Sequence, residues 1–164
     1  MTHPTRRKTL IAGALALMAT ATFSHAQAPQ PAPVLTVSGA QTPSRDFTLA
    51  SLEALPQVEV RTTTPWSKAA ITYRGPLLRT VLEAAGAKGQ ELRAVALNDY
   101  RVTLPLADVR EHNVILATRA DGQLLSVRDK GPLFVIYPFD SEPALKQPAY
   151  YERSIWQLRR LQLD

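Results

Sequence analysis

The sequence predicts an α+β domain built of many short strands with two or three short helices inserted. Three observations predict it. Apolar and polar residues alternate in brief runs such as "QVEVRTTT", where Val58 and Val60 share one face and Gln57, Glu59 and Arg61 take the other. Helical spacing is clearest in Leu77, Leu78, Val81, Leu82 and Ala85, a stripe that Pro76 can start and Gly86 can cap. Strand signals otherwise follow one another with few helices between them, which argues against a doubly wound sheet.

Residues 1–26 read as an export signal and stand outside the fold. Thr5-Arg6-Arg7-Lys8 gives a positive start, Leu10 to Phe23 an apolar run, and Ser24-His25-Ala26 a small-residue cleavage site. The run falls short of the roughly 20 residues a membrane span needs, so no membrane insertion is expected after cleavage. The arginine pair leaves both the general secretory and the twin-arginine routes open, and either delivers the protein to the periplasm. Residues 27–33 are a Pro/Ala-rich flexible leader, and residues 34–164 are the domain.

Along that domain, "VLTVSG" suits a strand turning at Gly39, and "FTLASLEALP" a short helix stopped by Pro56. "QVEVRTTT" and "AITYRG" are strands on either side of Pro65-Trp66, and the Pro76 helix follows. Next come strands in "LRAVALND" and "YRVTLP", a short helix in "LADVREHN", a strand in "VILATRA" and a turn at "ADGQ". "GPLFVIYP" is rich in β-branched and aromatic residues and reads as a buried strand. No single alternation fits Ile155, Trp156, Leu158, Leu161 and Leu163, so the closing strand is expected to carry a bulge.

Composition removes several kinds of function. Without residues 1–26 the chain loses three basic and no acidic residues, and its formal charge falls from +5 to +2. So small an excess gives no electrostatic case for nucleic acid. Having no cysteine, the chain has no disulfide, no thiolate metal site and no cysteine nucleophile. His112 is the one histidine after residue 26, whereas a catalytic zinc site needs two or three imidazoles. There is no Gly-x-Ser-x-Gly elbow and no phosphate-binding loop.

Three stretches carry chemistry. Trp66 follows Pro65 at a strand exit, where an indole either stacks on a planar heterocycle or plugs the end of the core; the residues weigh the two equally. Asn98, Asp99 and Tyr100 put an amide, a carboxylate and a phenol between two strands, as a hairpin turn would also do. Arg128, Asp129 and Lys130 form either a charged surface turn or a donor fork for an anion or a ring carbonyl.

In this order, Trp66, "YRGPLLRTVLEAAGA", "NDY", "VILATRADGQLLSVRDKGPLFVIYP" and a closing strand with Trp156 resemble the molybdopterin-binding domain of the sulfite oxidase superfamily from about Phe47 to Leu163. The resemblance implies that family's fold, mixed sheets around a barrel-like core with a few short helices. In the family's enzymes a cysteine shortly before the Trp position ligates molybdenum; the corresponding place here falls near Thr62, whose hydroxyl is a poor soft ligand. The chain is also similar to a one-domain, cysteine-less branch whose exported members bind a pterin without metal. These report it to a membrane sensor, often one that controls a cyclic dinucleotide, or a sensor kinase. The resemblance thus implies a pterin or molybdopterin-like ligand, no metal, and the periplasmic domain of a membrane-bound protein as partner. It implies a pocket drawn from Arg61, Thr62, Trp66, Asn98, Asp99, Tyr100, Arg128 and Lys130, with Asp99 accepting from the amino-pyrimidine edge and Arg61 or Arg128 donating to the carbonyl. A molybdopterin-dependent oxidoreductase, or a subunit of one, with a non-cysteine metal site is the alternative. An interaction subunit with a vestigial pocket is a third reading.

Overall fold

The computed structural model describes residues 31–164; the expected export signal, residues 1–26, and residues 27–30 of the expected leader lie outside the described residues. Strands β1 (Leu35–Gly39) and β2 (Thr42–Phe47) form a hairpin, and the Thr48 hydroxyl then caps helix α1 (Leu49–Glu53) by accepting from Ser51 N–H at 3.1 Å. A long hairpin follows, β3 (Gln57–Thr64) and β4 (Ser67–Pro76), and then α2 (Leu78–Ala84). Strands β5 (Glu91–Ala96) and β6 (Arg101–Pro105) pair and lead into α3 (Leu106–Glu111). The rest comprises β7 (Ile115–Ala117), β8 (Arg119–Ala120), β9 (Gln123–Leu124), a 3-10 turn at Val127–Asp129, β10 (Phe134–Ile136), a second at Pro143–Leu145, α4 (Pro148–Arg153) and β11 (Leu158–Leu163).

The strands form a five-stranded sheet, β2-β1-β11-β5-β6, a four-stranded sheet, β3-β4-β8-β9, and the pair β10-β7. Only β1 and β11 run parallel. The predicted α+β class holds, with one difference: the sheets stay open and close no barrel. No described helix is long and apolar enough to cross a membrane.

Period two in the β7/β10 ribbon explains why its sequence is an unbroken apolar run. Leu116 and Val135 pack into a large core with Leu35, Leu52, Leu78, Leu92 and Leu161, while Ile115, Ala117, Phe134 and Ile136 pack into a second with Val60 and Tyr73. The ribbon is the wall between two cores, so neither of its faces can be polar. Each fully buried Leu, Ile or Phe contributes about 2–3 kcal/mol of transfer free energy, and with no disulfide this packing carries the domain.

Several local expectations are corrected by tertiary pairing. Pro76 does not begin α2; it ends β4 opposite Gln57. "VILATRA" divides at Thr118, because Ile115–Ala117 pairs with β10 and Ala120 then crosses to Tyr73 of β4. Trp156 lies outside β11, touching Phe134 through an isolated bridge, and the irregularity falls between Leu158 and Arg160. Helix α4, "PAYYER", has no apolar stripe and was not expected, although Pro148 at its first turn is a start signal. Gly86 does cap α2: at φ +64° its N–H meets Glu83 C=O at 2.9 Å, and Ala87 N–H meets Leu82 C=O at 2.9 Å.

Candidate functional site

Pro65 and Trp66 are the two-residue tip of the β3/β4 hairpin, since Thr64 pairs with Ser67. The proline fixes the first turn position, and Trp66 N–H is held by the Thr64 hydroxyl at 3.3 Å, which throws the indole off the end of the sheet. There it meets Trp156 edge-on with ring centroids 5.3 Å apart, Tyr151 at 6.4 Å and Phe134 at 6.2 Å. Trp66 remains 38% exposed and Trp156 37%. One side of Trp66 therefore packs on Phe134 of the second core and the other lines an open cavity.

That cavity, about 320 Å³, is lined by Trp66, Ala96, Asn98, Tyr100, Tyr151, Glu152, Ser154, Ile155 and Trp156. Its walls come from three places: the β3/β4 tip, the β5/β6 turn, and the chain from α4 to the start of β11. In the turn Asn98 Oδ1 accepts from Tyr100 N–H at 3.1 Å, a side-chain bond typical of a tight reversal. Ahead of β11, Gln157 adopts a left-handed φ of +52°. Its N–H meets Lys130 C=O at 3.0 Å and its C=O accepts from Leu97 N–H at 2.8 Å, and this anchored kink leaves Trp156 facing out.

Of the predicted site residues, the structure brings Trp66, Asn98 and Tyr100 to the cavity and sends the others elsewhere. Asp99 turns away, at φ +64°, to Arg159 at 2.5 Å with Arg160 at 3.9 Å, so its charge is matched by β11. Arg61 is exposed on the outer face of β3, where strand alternation puts it once Thr62 faces in. Arg128 lies exposed in the 3-10 turn, and Lys130 caps that turn at φ +71°. Tyr151, Glu152 and Trp156 were not predicted as site residues; the only sequence signals for them were the Pro148 helix start and the misfit of Trp156 in an alternating strand.

Thr62 is wholly buried and its hydroxyl is engaged: it accepts from Asp140 N–H at 3.1 Å and donates to Thr63 C=O at 3.1 Å. The Asp140 carboxylate in turn accepts from Thr63 N–H and Thr63 Oγ1, each at 2.7 Å, and pairs with Lys146 at 2.7 Å. This clasp ties the hairpin beneath Trp66 to the loop before α4. Lys146, then Thr63, hold the Asp140 carboxyl down to about 2, below its ordinary 3.8. A depressed carboxylate stabilises the fold above its unfolded value and loses that contribution as pH falls through the folded one. The difference in melting temperature between the wild type and Asp140→Asn should therefore be constant from neutral pH to about pH 5 and vanish near pH 2; a difference unchanged at pH 2 would show that the charge is not what the clasp uses.

Helix α4 is fixed from behind. Arg153 meets Asp108 at 2.9 Å, and the buried Tyr137 hydroxyl donates to the same oxygen at 2.9 Å. Burial, with Asp108 beside it, pushes the Tyr137 phenol well above its ordinary range and keeps it a donor. His112 pairs with Glu142 at 2.6 Å, and no group of three or more His, Cys, Asp or Glu that could hold a metal occurs among the described residues.

With this geometry in hand, comparison with known proteins gives two findings. The family model described as oxidoreductase molybdopterin binding domain matches residues 25–139. The crystal structure of the sulfane dehydrogenase SoxCD from Paracoccus pantotrophus shares the fold with a TM-score of 0.58 at 19% identity, over 78% of this chain and 37% of that one. The chain thus spans well under half the length of that solved relative. No curated protein matches the sequence.

Proposed function

Because the chain belongs to the oxidoreductase molybdopterin-binding domain family, we propose that it binds a pterin without metal and reports it to a membrane-bound partner. The aromatic-walled cavity between Trp66, Trp156, Tyr151 and Tyr100 carries this reading: it offers flat apolar surfaces with polar groups, Asn98 and Glu152, in its lining. A pterin is a flat ring with donors and acceptors along one edge, and such a cavity suits it.

Molybdopterin joins such a ring to a dithiolene that holds molybdenum and to a phosphate. The aromatic lining fits the ring, and the remaining residues do not fit the rest. Thr62 points its hydroxyl at the Asp140 backbone and does not line the cavity. The only charged side chain lining the cavity among the described residues is Glu152, which repels a phosphate. A metal-free pterin is accordingly the ligand class, and binding with presentation is the role.

Export by residues 1–26 belongs to the same proposal and places the partner's recognising domain in the periplasm. A second hollow, about 390 Å³ and lined in part by Leu97, Val127, Pro132, Arg159 and Arg160, supports a route to that partner. Leu97 is 43% and Val127 52% exposed, an apolar pair beside two guanidiniums that suits an acidic and aliphatic protein surface. The two hollows share chain: Asn98 and Tyr100 line one and Leu97 the other, and Gln157, next to Trp156, donates from Nε2 to Val127 C=O at 2.8 Å.

Titration of the mature protein with a fluorescent pterin should give saturable quenching at one site per chain. Absence of binding to oxidised, dihydro and tetrahydro forms alike would overturn the proposal. So would stoichiometric molybdenum in protein isolated from its own periplasm, which would restore the oxidoreductase reading.

A further inference from the structure

We propose that Glu152 is the residue that selects the ligand, by accepting two parallel N–H donors from a 2-amino-pyrimidinone edge. The inference rests on the pterin reading and sharpens it to ring systems that carry the exocyclic amino group. Glu152 lies outside the 25–139 segment matched by the family model, on a helix with no sequence periodicity to announce it.

Four observations support it. Glu152 is the one charged side chain lining the aromatic cavity among the described residues, so a ligand's hydrogen-bonding edge has a single ionic partner there. Among the described side chains none hydrogen-bonds or ion-pairs with it, while its neighbour Arg153 is committed to Asp108. The other nearby carboxylate, Asp99, is committed to Arg159. The backbone that carries Glu152 is held in place: Arg153, the next residue, is locked to Asp108 and stacks over Tyr150 at 5.1 Å, and Ser154 Oγ donates to Tyr150 C=O at 3.0 Å.

The chemistry follows from donor and acceptor counts. An ionised carboxylate only accepts, and its two oxygens match the paired N–H groups of the 2-amino and N3 positions of a pterin. A lumazine, the same bicycle with a carbonyl in place of the amino group, keeps the N3 donor but turns an acceptor toward the second carboxylate oxygen and leaves that oxygen unmatched. A site built to accept from a donor discriminates strongly against an analogue that lacks it.

The experiment measures the affinities of pterin and lumazine, both fluorescent, for the wild type, Glu152→Gln, Glu152→Ala and Trp66→Ala. The wild type is expected to prefer pterin by about 10- to 100-fold. Glu152→Gln and Glu152→Ala should bring that ratio near one, chiefly by weakening pterin, whereas Trp66→Ala should weaken both ligands and keep the ratio. A ratio unchanged by either Glu152 substitution, alongside loss of both ligands in Trp66→Ala, overturns the role of Glu152 and leaves the pterin reading standing. Failure of the wild type to bind either ligand overturns both. Glu152 is exposed, so its variants should melt like the wild type, and thermal unfolding checks this.

Discussion

Trp66→Ala is expected to weaken pterin binding by roughly 10- to 100-fold, the range that loss of one aromatic stacking face spans. The effect on the fold should be smaller. Trp66 sits at a hairpin tip and is 38% exposed, and its core-side partners, Trp156, Tyr151 and Phe134, also pack on one another or on neighbours. Loss of its two edge contacts and one tilted contact should cost about 1–2 kcal/mol, visible as a modest drop in melting temperature. Ligand fluorescence is the measurement to use, because it does not depend on the deleted indole. Full affinity in the variant would move the platform to Trp156, which lines the same cavity.

Gly75→Ala should be the most damaging small substitution in the domain. A Cβ built at Gly75 would lie 2.0 Å from Leu116 O, 2.7 Å from Leu116 C and 2.9 Å from Ala117 Cα. All three are backbone atoms of β7, whose residues are wholly buried and which pairs with β10 between the two cores. No side chain can swing aside to relieve the contact, so β4 must leave β7 or the ribbon must shift in both cores. An exceptional loss, above about 4 kcal/mol, is expected, a large share of the roughly 5–15 kcal/mol that holds a typical domain. Urea unfolding, or soluble yield if the variant does not accumulate, measures it. Gly86→Ala is the contrast: nothing lies within 4 Å of its Cβ, and only the left-handed φ opposes the change, at about 1 kcal/mol. A Gly75→Ala variant no less stable than Gly86→Ala would mean that β4 and β7 are not in backbone contact.

The fold was legible wherever a local signal and the tertiary demand agree. Val58 and Val60 alternate with charged neighbours, and the stripe from Leu77 to Ala85 repeats at helical spacing; both appear as β3 and α2. Pairing partners were not legible, because "VILATRA" contains nothing to say that its second half will leave β10 for β4. The candidate site divides in the same way. Trp66, Asn98 and Tyr100 could be found because turns and strand exits announce themselves through Pro, Asn and Asp. Asp99 could not be separated from its neighbours, since its direction depends on Arg159, sixty residues away in sequence, and on a left-handed φ. The α4 contribution was hidden for a further reason: Tyr150 and Arg153 face the Asp108 network while Tyr151 and Glu152 face the cavity, so the helix has two half-buried faces and no single apolar stripe.

The Asp140 clasp makes position 62 a poor place to build a metal ligand. A cysteine placed there would supply a thiol but not a free direction for it, because the side chain at that position presents its acceptor to Asp140 N–H. Thr63 and Lys146 hold the same carboxylate from two other sides. Several positions would have to change together, each of the intermediate sequences carrying a loosened hairpin beneath Trp66. Changes at Asp140 or Lys146 should thus reach the hairpin tip that carries Trp66 without touching the indole itself.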